Sequence, residues 1–166
     1  MSITARAFKY GDDINTDYII SGKYKFKSAD MEAMAVHAME ELDPEYYHKV
    51  KPDGGFLVAG KNFGMGSSRE QAPLVLIHSN TKAVIAKSFA RIFYRNAINT
   101  GLPIVESPEA VDAISDGDEI SVDLENGQIL NVTTGATFEI QPFPESIQRI
   151  IDAGGLIEAV KAKVAS

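Results

Sequence analysis

The fold of this chain is decided by Gly55-Phe56-Leu57-Val58-Ala59-Gly60 and, closely after it, by Gly64-Met65-Gly66-Ser67-Ser68-Arg69-Glu70. The first segment is a short apolar run bounded by glycines, which is typical of a buried strand. A helix is predicted over residues 70–77, because their apolar side chains recur at helical spacing. A strand that turns into a helix through a glycine-rich loop indicates an α/β domain.

Two serines and an arginine lie where this helix is predicted to begin. Ser67 and Ser68 are close to free backbone N–H groups and to the partial positive charge of a helix N-terminus, which favour a bound anion. Arg69 adds a planar guanidinium that can hold a carboxylate through two hydrogen bonds. The segment therefore predicts an anion-binding corner with a candidate base. A second interpretation is that the serines only cap the helix.

Two nucleotide-binding motifs are incomplete in the same region. Residues 55–61 have the glycine and lysine spacing of a Walker A loop, but Asn62 replaces the Ser or Thr that binds magnesium. Gly64-Met65-Gly66 begins a dinucleotide fingerprint, but Arg69 occupies the position of its third glycine. The sequence therefore argues against a nucleotide site.

The composition is ordinary for a soluble globular protein. The chain has 166 residues, of which 45% are hydrophobic and 23% charged, so we expect residues 1–166 to form a single domain. The net charge of −7 argues against nucleic acid as a partner. No apolar run approaches the roughly 20 residues of a membrane span, and the N-terminus lacks the apolar core of a signal peptide. We therefore expect a cytoplasmic protein without a membrane partner.

Metal ligands are scarce in this sequence. It contains no cysteine, which excludes disulfides, thiol catalysis and cysteine-ligated metals. Asp13, Asn15 and Asp17 have the spacing of the start of a calcium loop, but Tyr18 and Tyr24 replace its glycine and its closing glutamate. The three histidines show no paired ligand spacing. We expect no metal to be bound by this chain alone.

The rest of the chain alternates between predicted strands and helices. Residues 31–42 carry an apolar stripe at helical spacing, which predicts one amphipathic helix packed on the core. The Asn126-Gly127 pair predicts a hairpin between residues 118–124 and 128–133. Together these elements indicate an α/β domain with a mixed sheet. The remaining predicted elements are a strand at 82–86, a helix at 89–99 closed by Gly101, and a strand at 102–105.

The sequence alone does not assign a function to two groups of polar residues. Arg91 and Arg95 are four residues apart and share one helix face, where they either form structural ion pairs or contact a substrate. Asn15-Thr16-Asp17 precedes the segment Tyr18-Ile19-Ile20, and by spacing alone it is a polar turn.

Three segments together resemble one protein family. Residues 62–73, Gly11-Asp12-Asp13-Ile14-Asn15-Thr16-Asp17 and Ser88-Phe89-Ala90-Arg91-Ile92-Phe93-Tyr94-Arg95-Asn96 are similar to the small subunits of 3-isopropylmalate dehydratase. These subunits are the separate-chain form of the aconitase swivel domain, a family that includes homoaconitase small subunits. The resemblance runs from about Tyr10 to residues 153–156. It implies an aconitase-type swivelling β/β/α barrel with a mixed sheet.

The resemblance implies one half of a two-chain iron–sulfur hydro-lyase that isomerises or dehydrates a small hydroxy-dicarboxylate. Because this chain has no cysteine, the [4Fe–4S] cluster of such enzymes is expected in a large-subunit partner. In the best-known case of the family, 2-isopropylmalate becomes 3-isopropylmalate in leucine biosynthesis. A homo-oligomer of the isolated chain is possible. A stand-alone dicarboxylate-binding module is the alternative from another functional class.

The resemblance also implies roles for individual residues. Ser67 would be the catalytic base, an alkoxide that removes the carbon-bound proton beside a substrate carboxylate. Ser68 and Arg69 would bind that carboxylate. Asp17, with Thr16 beside it, would belong to the substrate site and orient groups there.

Substrate choice is expected in the loop Tyr24-Lys25-Phe26-Lys27, which departs from the Tyr-Leu pattern of the family. Lys25 or Lys27 could meet a third carboxylate, which favours a homoaconitase-like substrate. Phe26 could instead line an apolar pocket, which favours isopropylmalate or 2,3-dimethylmalate. A further interpretation is that both lysines are simply solvated.

Overall fold

The computed structural model describes residues 2–24 and 30–165. The strands of this part of the chain are β1 Ser2–Lys9, β2 Gly55–Ala59, β3 Thr81–Ala86, β4 Ile104–Glu106, β5 Glu119–Asp123, β6 Gln128–Asn131 and β7 Thr137–Glu139. Its helices are α1 Thr16–Ile19, α2 Met31–Ala35, α3 Tyr46–Val50, α4 Gln71–His78, α5 Arg91–Thr100, α6 Pro108–Ala113, α7 Glu145–Ala153 and α8 Leu156–Ala165, with a 3₁₀ turn at Gly22–Tyr24. The strands form one sheet in the order β4-β3-β2-β1-β5-β6-β7, curled into a half-barrel.

The first strand of the chain lies in the middle of this sheet. β1 pairs in parallel with β2 and antiparallel with β5. Strands β1 to β4 therefore form a parallel half, connected through helices, and β5 to β7 form an antiparallel half. The sheet is mixed, as predicted.

Most of the elements predicted from the sequence are confirmed with small shifts of their ends. They are β2, β3, β4, α4, α5 and the β5–β6 hairpin around Asn126-Gly127. Helix α5 ends at Gly101, whose φ of 88° lies in the left-handed region that a helix C-terminus commonly needs.

The single helix predicted over residues 31–42 is wrong in its length. Helix α2 ends at Ala35, and residues 36–42 form turns. Met39 has a φ of 60°, and its N–H donates to the carbonyl of Ile19 at 2.8 Å, so the chain bends back onto α1 instead of continuing as a helix. The predicted core role of the stripe is confirmed for Met34, Ala35, Ala38 and Met39, which are buried, but it is wrong for Leu42, which is exposed.

Apolar clusters cover both faces of the parallel half of the sheet. In β2 the side chains alternate: Leu57 and Ala59 join the cluster under α1 to α5, and Phe56 and Val58 join the cluster under α6. Every residue of β2 is buried, which explains why its sequence reads as a continuous apolar run. The parallel strands, and with them their carboxyl ends, are therefore held in place by packing on both faces of the sheet.

Candidate active site

Three loops meet at the carboxyl ends of β1, β2 and β3. The loop after β2 bonds to the loop after β1, since Gly64 N–H donates to the Ile14 carbonyl at 2.8 Å and Thr16 N–H donates to the Met65 carbonyl at 2.9 Å. It also bonds to the loop after β3, through Phe63 and the segment at Ser88 and Ala90. This end of a parallel sheet is where α/β proteins commonly bind ligands.

Two glycines allow the loop after β2 to approach its neighbours. Gly64 has a φ of 84°, and a Cβ built there would lie 2.3 Å from Cγ of Phe93. Gly66 has a φ of 95°, and a Cβ there would lie 2.8 Å from Oδ1 of Asn15. Any other residue would combine an unfavourable backbone conformation with a steric clash. The glycines thus fix residues 64–69 against α5 and α1.

Helix α1, which follows β1, contacts the corner formed by Ser67, Ser68 and Arg69. The side chain of Asn15 accepts a hydrogen bond from Asp17 N–H at 2.8 Å and so caps this short helix. Thr16 Oγ1 donates to the carbonyl of Ser67 at 2.8 Å. The Asn15-Thr16-Asp17 segment is therefore a helix start that contacts the loop after β2, and not only the turn that its spacing suggested.

Arg69 and Asp17 form an ion pair, although they are far apart in sequence. Nη1 of Arg69 donates to Oδ1 of Asp17 and, at 3.1 Å, to the carbonyl of Ile20. The Arg69 side chain is 17% exposed and that of Asp17 is 56% exposed. Nε and Nη2 of Arg69 donate to no acceptor in the described part of the chain. The guanidinium is thus oriented by Asp17 and keeps donors for a ligand.

The two serines do not cap a helix. The N-cap position of α4 is Glu70, which makes no side-chain cap bond, so the interpretation of the serines as caps is wrong. Ser67 and Ser68 are exposed. Asn96 Nδ2 donates to Ser68 Oγ at 3.4 Å, whereas Ser67 Oγ makes no hydrogen bond among residues 2–24 and 30–165. The N–H groups of Ser67, Ser68 and Arg69 also find no acceptor there.

The corner opens into a cavity of about 200 Å³. One side is formed by Thr16, Gly64 and residues 66–69, which include Ser67, Ser68 and Arg69. The other side is the beginning of α5, for which the sequence had left a substrate contact open only as one of two interpretations of Arg91 and Arg95. The residues that it contributes are Ala90, Arg91, Ile92, Phe93 and Asn96.

The structural ion-pair interpretation of Arg91 and Arg95 is wrong for the described residues. Neither guanidinium has a carboxylate partner there, and both side chains are exposed. Their four-residue spacing gave no means of telling them apart. The structure separates them, since Arg91 lines the cavity and Arg95 does not.

The predicted substrate-selecting loop is described only at its first residue. Tyr24 Oη donates to Oε2 of Glu40 at 2.7 Å, and its ring stacks on His37 at 3.9 Å between centroids. The bond to Glu40 raises the pKa of Tyr24 and lowers the pKa of Glu40. Lys25, Phe26 and Lys27 lie outside the described residues.

The described part of the chain contains neither a cluster of metal-ligating side chains nor a membrane-spanning helix. In residues 2–24 and 30–165, no three His, Asp or Glu side chains converge as a metal site would require. Over the same ranges, no helix has the length and apolar character needed to cross a membrane.

Comparisons with known proteins agree with one another. The family model of the aconitase C-terminal domain matches residues 15–109. The 3-isopropylmalate dehydratase small subunit of Caldanaerobacter subterraneus subsp. tengcongensis is 57% identical over 96% of this chain and 98% of that protein. The corresponding subunit of Aquifex aeolicus is 51% identical over 100% of this chain and 98% of its own length.

A solved structure gives the same result for the fold. The crystal structure of 3-isopropylmalate dehydratase from Methanocaldococcus jannaschii superposes with a TM-score of 0.93 and 43% identity, and the match covers 99% of this chain and 96% of that one. The predicted fold class, an α/β domain of the aconitase swivel type with a mixed sheet, is confirmed. The chain belongs to the family of 3-isopropylmalate dehydratase small subunits, within the larger group that shares the aconitase C-terminal domain.

Proposed function

We propose that this chain is the small subunit of a two-chain hydro-lyase that converts 2-isopropylmalate to 3-isopropylmalate in leucine biosynthesis. The observation that carries this proposal is identity of up to 57% along nearly the whole chain with proteins named as small subunits of 3-isopropylmalate dehydratase. Those names favour isopropylmalate over the substrates of a homoaconitase or a 2,3-dimethylmalate dehydratase. They also favour an enzyme over a stand-alone dicarboxylate-binding module.

Ser67 acts as the base in this proposal. Its Oγ takes the carbon-bound proton beside a substrate carboxylate and returns it during rehydration. A serine hydroxyl is a very poor base in water, so the alkoxide needs strong stabilisation by nearby donors and charge. Supporting donors are present: the N–H groups of Ser67, Ser68 and Arg69 are uncommitted within the described chain, and the Arg69 guanidinium lines the same cavity.

The neighbouring residues position the base and the substrate. Ser68 and the remaining donors of Arg69 bind the carboxylate next to the reacting carbon. Asp17 orients the Arg69 guanidinium, and Thr16 holds the carbonyl of Ser67, so both act on the geometry of the corner. Residues 24–27 contribute to the choice of substrate.

A large subunit is the expected partner, since the relatives are named as small subunits. The [4Fe–4S] cluster that the resemblance implies does not fit this chain, which has no cysteine to ligate it. We assign the cluster to the large subunit and place the complex in the cytoplasm. This chain contributes proton transfer and substrate positioning.

The proposal is tested on the complex reconstituted anaerobically with its large subunit. Hydration of isopropylmaleate, homoaconitate and dimethylmaleate is compared for the wild type, for Ser67→Ala and for Ser121→Ala on β5 as a matched control. We expect isopropylmaleate to be preferred, and Ser67→Ala to lower kcat by roughly 10²–10⁴-fold, the usual contribution of a general base, with little change in KM. Unchanged turnover in Ser67→Ala would refute its assignment as the base.

A further inference from the structure

The first residues of α5 border the cavity of the candidate active site. Ala90 occupies the N-cap position without a side-chain cap bond, and Arg91, Ile92 and Phe93 follow it along the cavity wall. The N–H groups of these three residues donate to no acceptor in the described part of the chain. By contrast, a side chain caps each of the helices α1, α2 and α6. The start of α5 therefore keeps its donors free beside Ser67 and Ser68.

Arg69 and Arg91, the two arginines that line the cavity, differ in how far their charges are neutralised. Arg69 is partly neutralised by its ion pair with Asp17 and is only 17% exposed. Arg91 is exposed and has no carboxylate partner among the described residues. Asp and Glu are absent from the residues that line the cavity in the described chain. Arg91 is thus the less neutralised of the two guanidiniums that line it.

A dicarboxylate requires two separate anion-binding positions if both of its ends are held. The corner at Ser68 and Arg69 supplies one, and Arg91 lines the other side of the same cavity of about 200 Å³. A guanidinium can take a carboxylate through two parallel hydrogen bonds, and nearby helix N–H groups strengthen such a site. Holding both ends fixes the reacting carbon relative to Ser67.

We propose that Arg91, at the start of α5, binds the second carboxylate of the substrate, opposite the carboxylate held by Ser68 and Arg69. This inference rests on the proposed function and adds a residue to its substrate site. Arg91 is a binding residue here, and Ser67 remains the base.

The test uses the complex with its large subunit and three variants, Arg91→Ala, Arg91→Lys and Arg95→Ala. Arg95 is the matched control, because it is exposed on the same helix but does not line the cavity. Binding of isopropylsuccinate, a dicarboxylate without the leaving hydroxyl, is measured by calorimetry, and turnover of isopropylmaleate by absorbance. We expect Arg91→Ala to weaken isopropylsuccinate binding and to raise KM by at least about tenfold, the loss expected for a charge-assisted contact. Arg91→Lys should recover part of the loss, and Arg95→Ala should stay within about twofold of the wild type.

A monocarboxylate distinguishes carboxylate binding from a general disturbance of the site. Binding of 4-methylpentanoate, which has one carboxylate, should differ little between the wild type and Arg91→Ala, because only the contact to the second carboxylate is removed. Equal weakening of both ligands would overturn the inference. Unchanged binding of isopropylsuccinate would overturn it as well.

Complex assembly, measured by analytical ultracentrifugation, provides the last comparison. If Arg91→Ala no longer assembles while Arg95→Ala does, Arg91 serves docking of the large subunit, and the inference is wrong. A wild-type complex that binds isopropylsuccinate through Arg91 but hydrates none of the three unsaturated acids would refute the proposed function and leave the Arg91 site standing. A wild-type complex that binds no dicarboxylate would overturn both.

Discussion

Replacing Gly64 by alanine should destabilise the chain and displace the candidate base. Its φ of 84° costs an alanine roughly 1–2 kcal/mol. The new Cβ would also lie 2.3 Å from Cγ of Phe93, which is 2% exposed and packs edge-on against Phe63 with 5.1 Å between ring centroids. Because that ring has no room to retreat, overpacking adds about 1–3 kcal/mol. The expected loss in the free energy of unfolding is about 2–5 kcal/mol.

The control for this substitution is Gly135→Ala. Gly135 has nearly the same φ, 83°, but a Cβ there would meet nothing within 4 Å. The free energy of unfolding of Gly135→Ala should fall only by the cost of the backbone conformation, roughly 1–2 kcal/mol. Urea unfolding followed by circular dichroism measures both, and Gly64→Ala should have the lower midpoint by about 1 M. Equal losses in the two variants would refute the conclusion that Phe93 sets the position of the loop.

The same pair of variants connects stability with the site. Residues 64–69 can relieve the clash only by moving away from α5, which would shift Ser67 and Ser68 relative to the cavity wall. Gly64→Ala should therefore lower the turnover of the reconstituted complex under conditions where it remains folded, whereas Gly135→Ala should not.

Two further predictions concern polar groups away from the cavity. Tyr46 is fully buried and its hydroxyl lies 2.7 Å from Thr81 Oγ1, so Tyr46→Phe should lower the free energy of unfolding by about 1 kcal/mol in urea titrations; a variant as stable as the wild type would contradict this. Hydrogen bonds from Ser115 N–H and from the Asn131 amide lower the pKa of Asp118 in the folded state. The carboxylate therefore stabilises the fold above the unfolded pKa of about 3.9, and this stabilisation is lost as the pH falls through the folded-state pKa. The stability difference between the wild type and Asp118→Asn should shrink as the pH is lowered from neutral to acid in thermal melts, and a constant difference would refute the role of the carboxylate.

The local part of the fold could be predicted because it depends on neighbouring residues. The apolar run Gly55–Ala59 is buried on both faces, and Gly101 ends α5 in the conformation that glycine favours. The helix predicted over residues 31–42 failed where a distant contact decided the backbone, since the N–H of Met39 bonds to the carbonyl of Ile19. Spacing along the chain carries no information about such a contact.

The candidate site was likewise predictable only in its local part. The corner at Ser67, Ser68 and Arg69 was visible as a motif, and the resemblance added Thr16 and Asp17. The structure then shows that Asp17 pairs with Arg69 and that α5 forms the opposite wall. Arg91 could not be separated from Arg95 by sequence, because both have the same residue type and share a helix face. What distinguishes them is that α5 begins at the cavity, and this depends on how three loops are arranged in space.

The central position of β1 has a consequence for folding during synthesis. This strand, Ser2–Lys9, is made before the other strands of the sheet, but its partners are β2 at Gly55–Ala59 and β5 at Glu119–Asp123. Until β5 has emerged, β1 presents an unpaired edge that can pair with another nascent chain. Its pairing with β5 also spans more than two thirds of the sequence, a high contact order that slows folding. The middle of the sheet is therefore completed only after β5 has been made, later than all four strands of the parallel half.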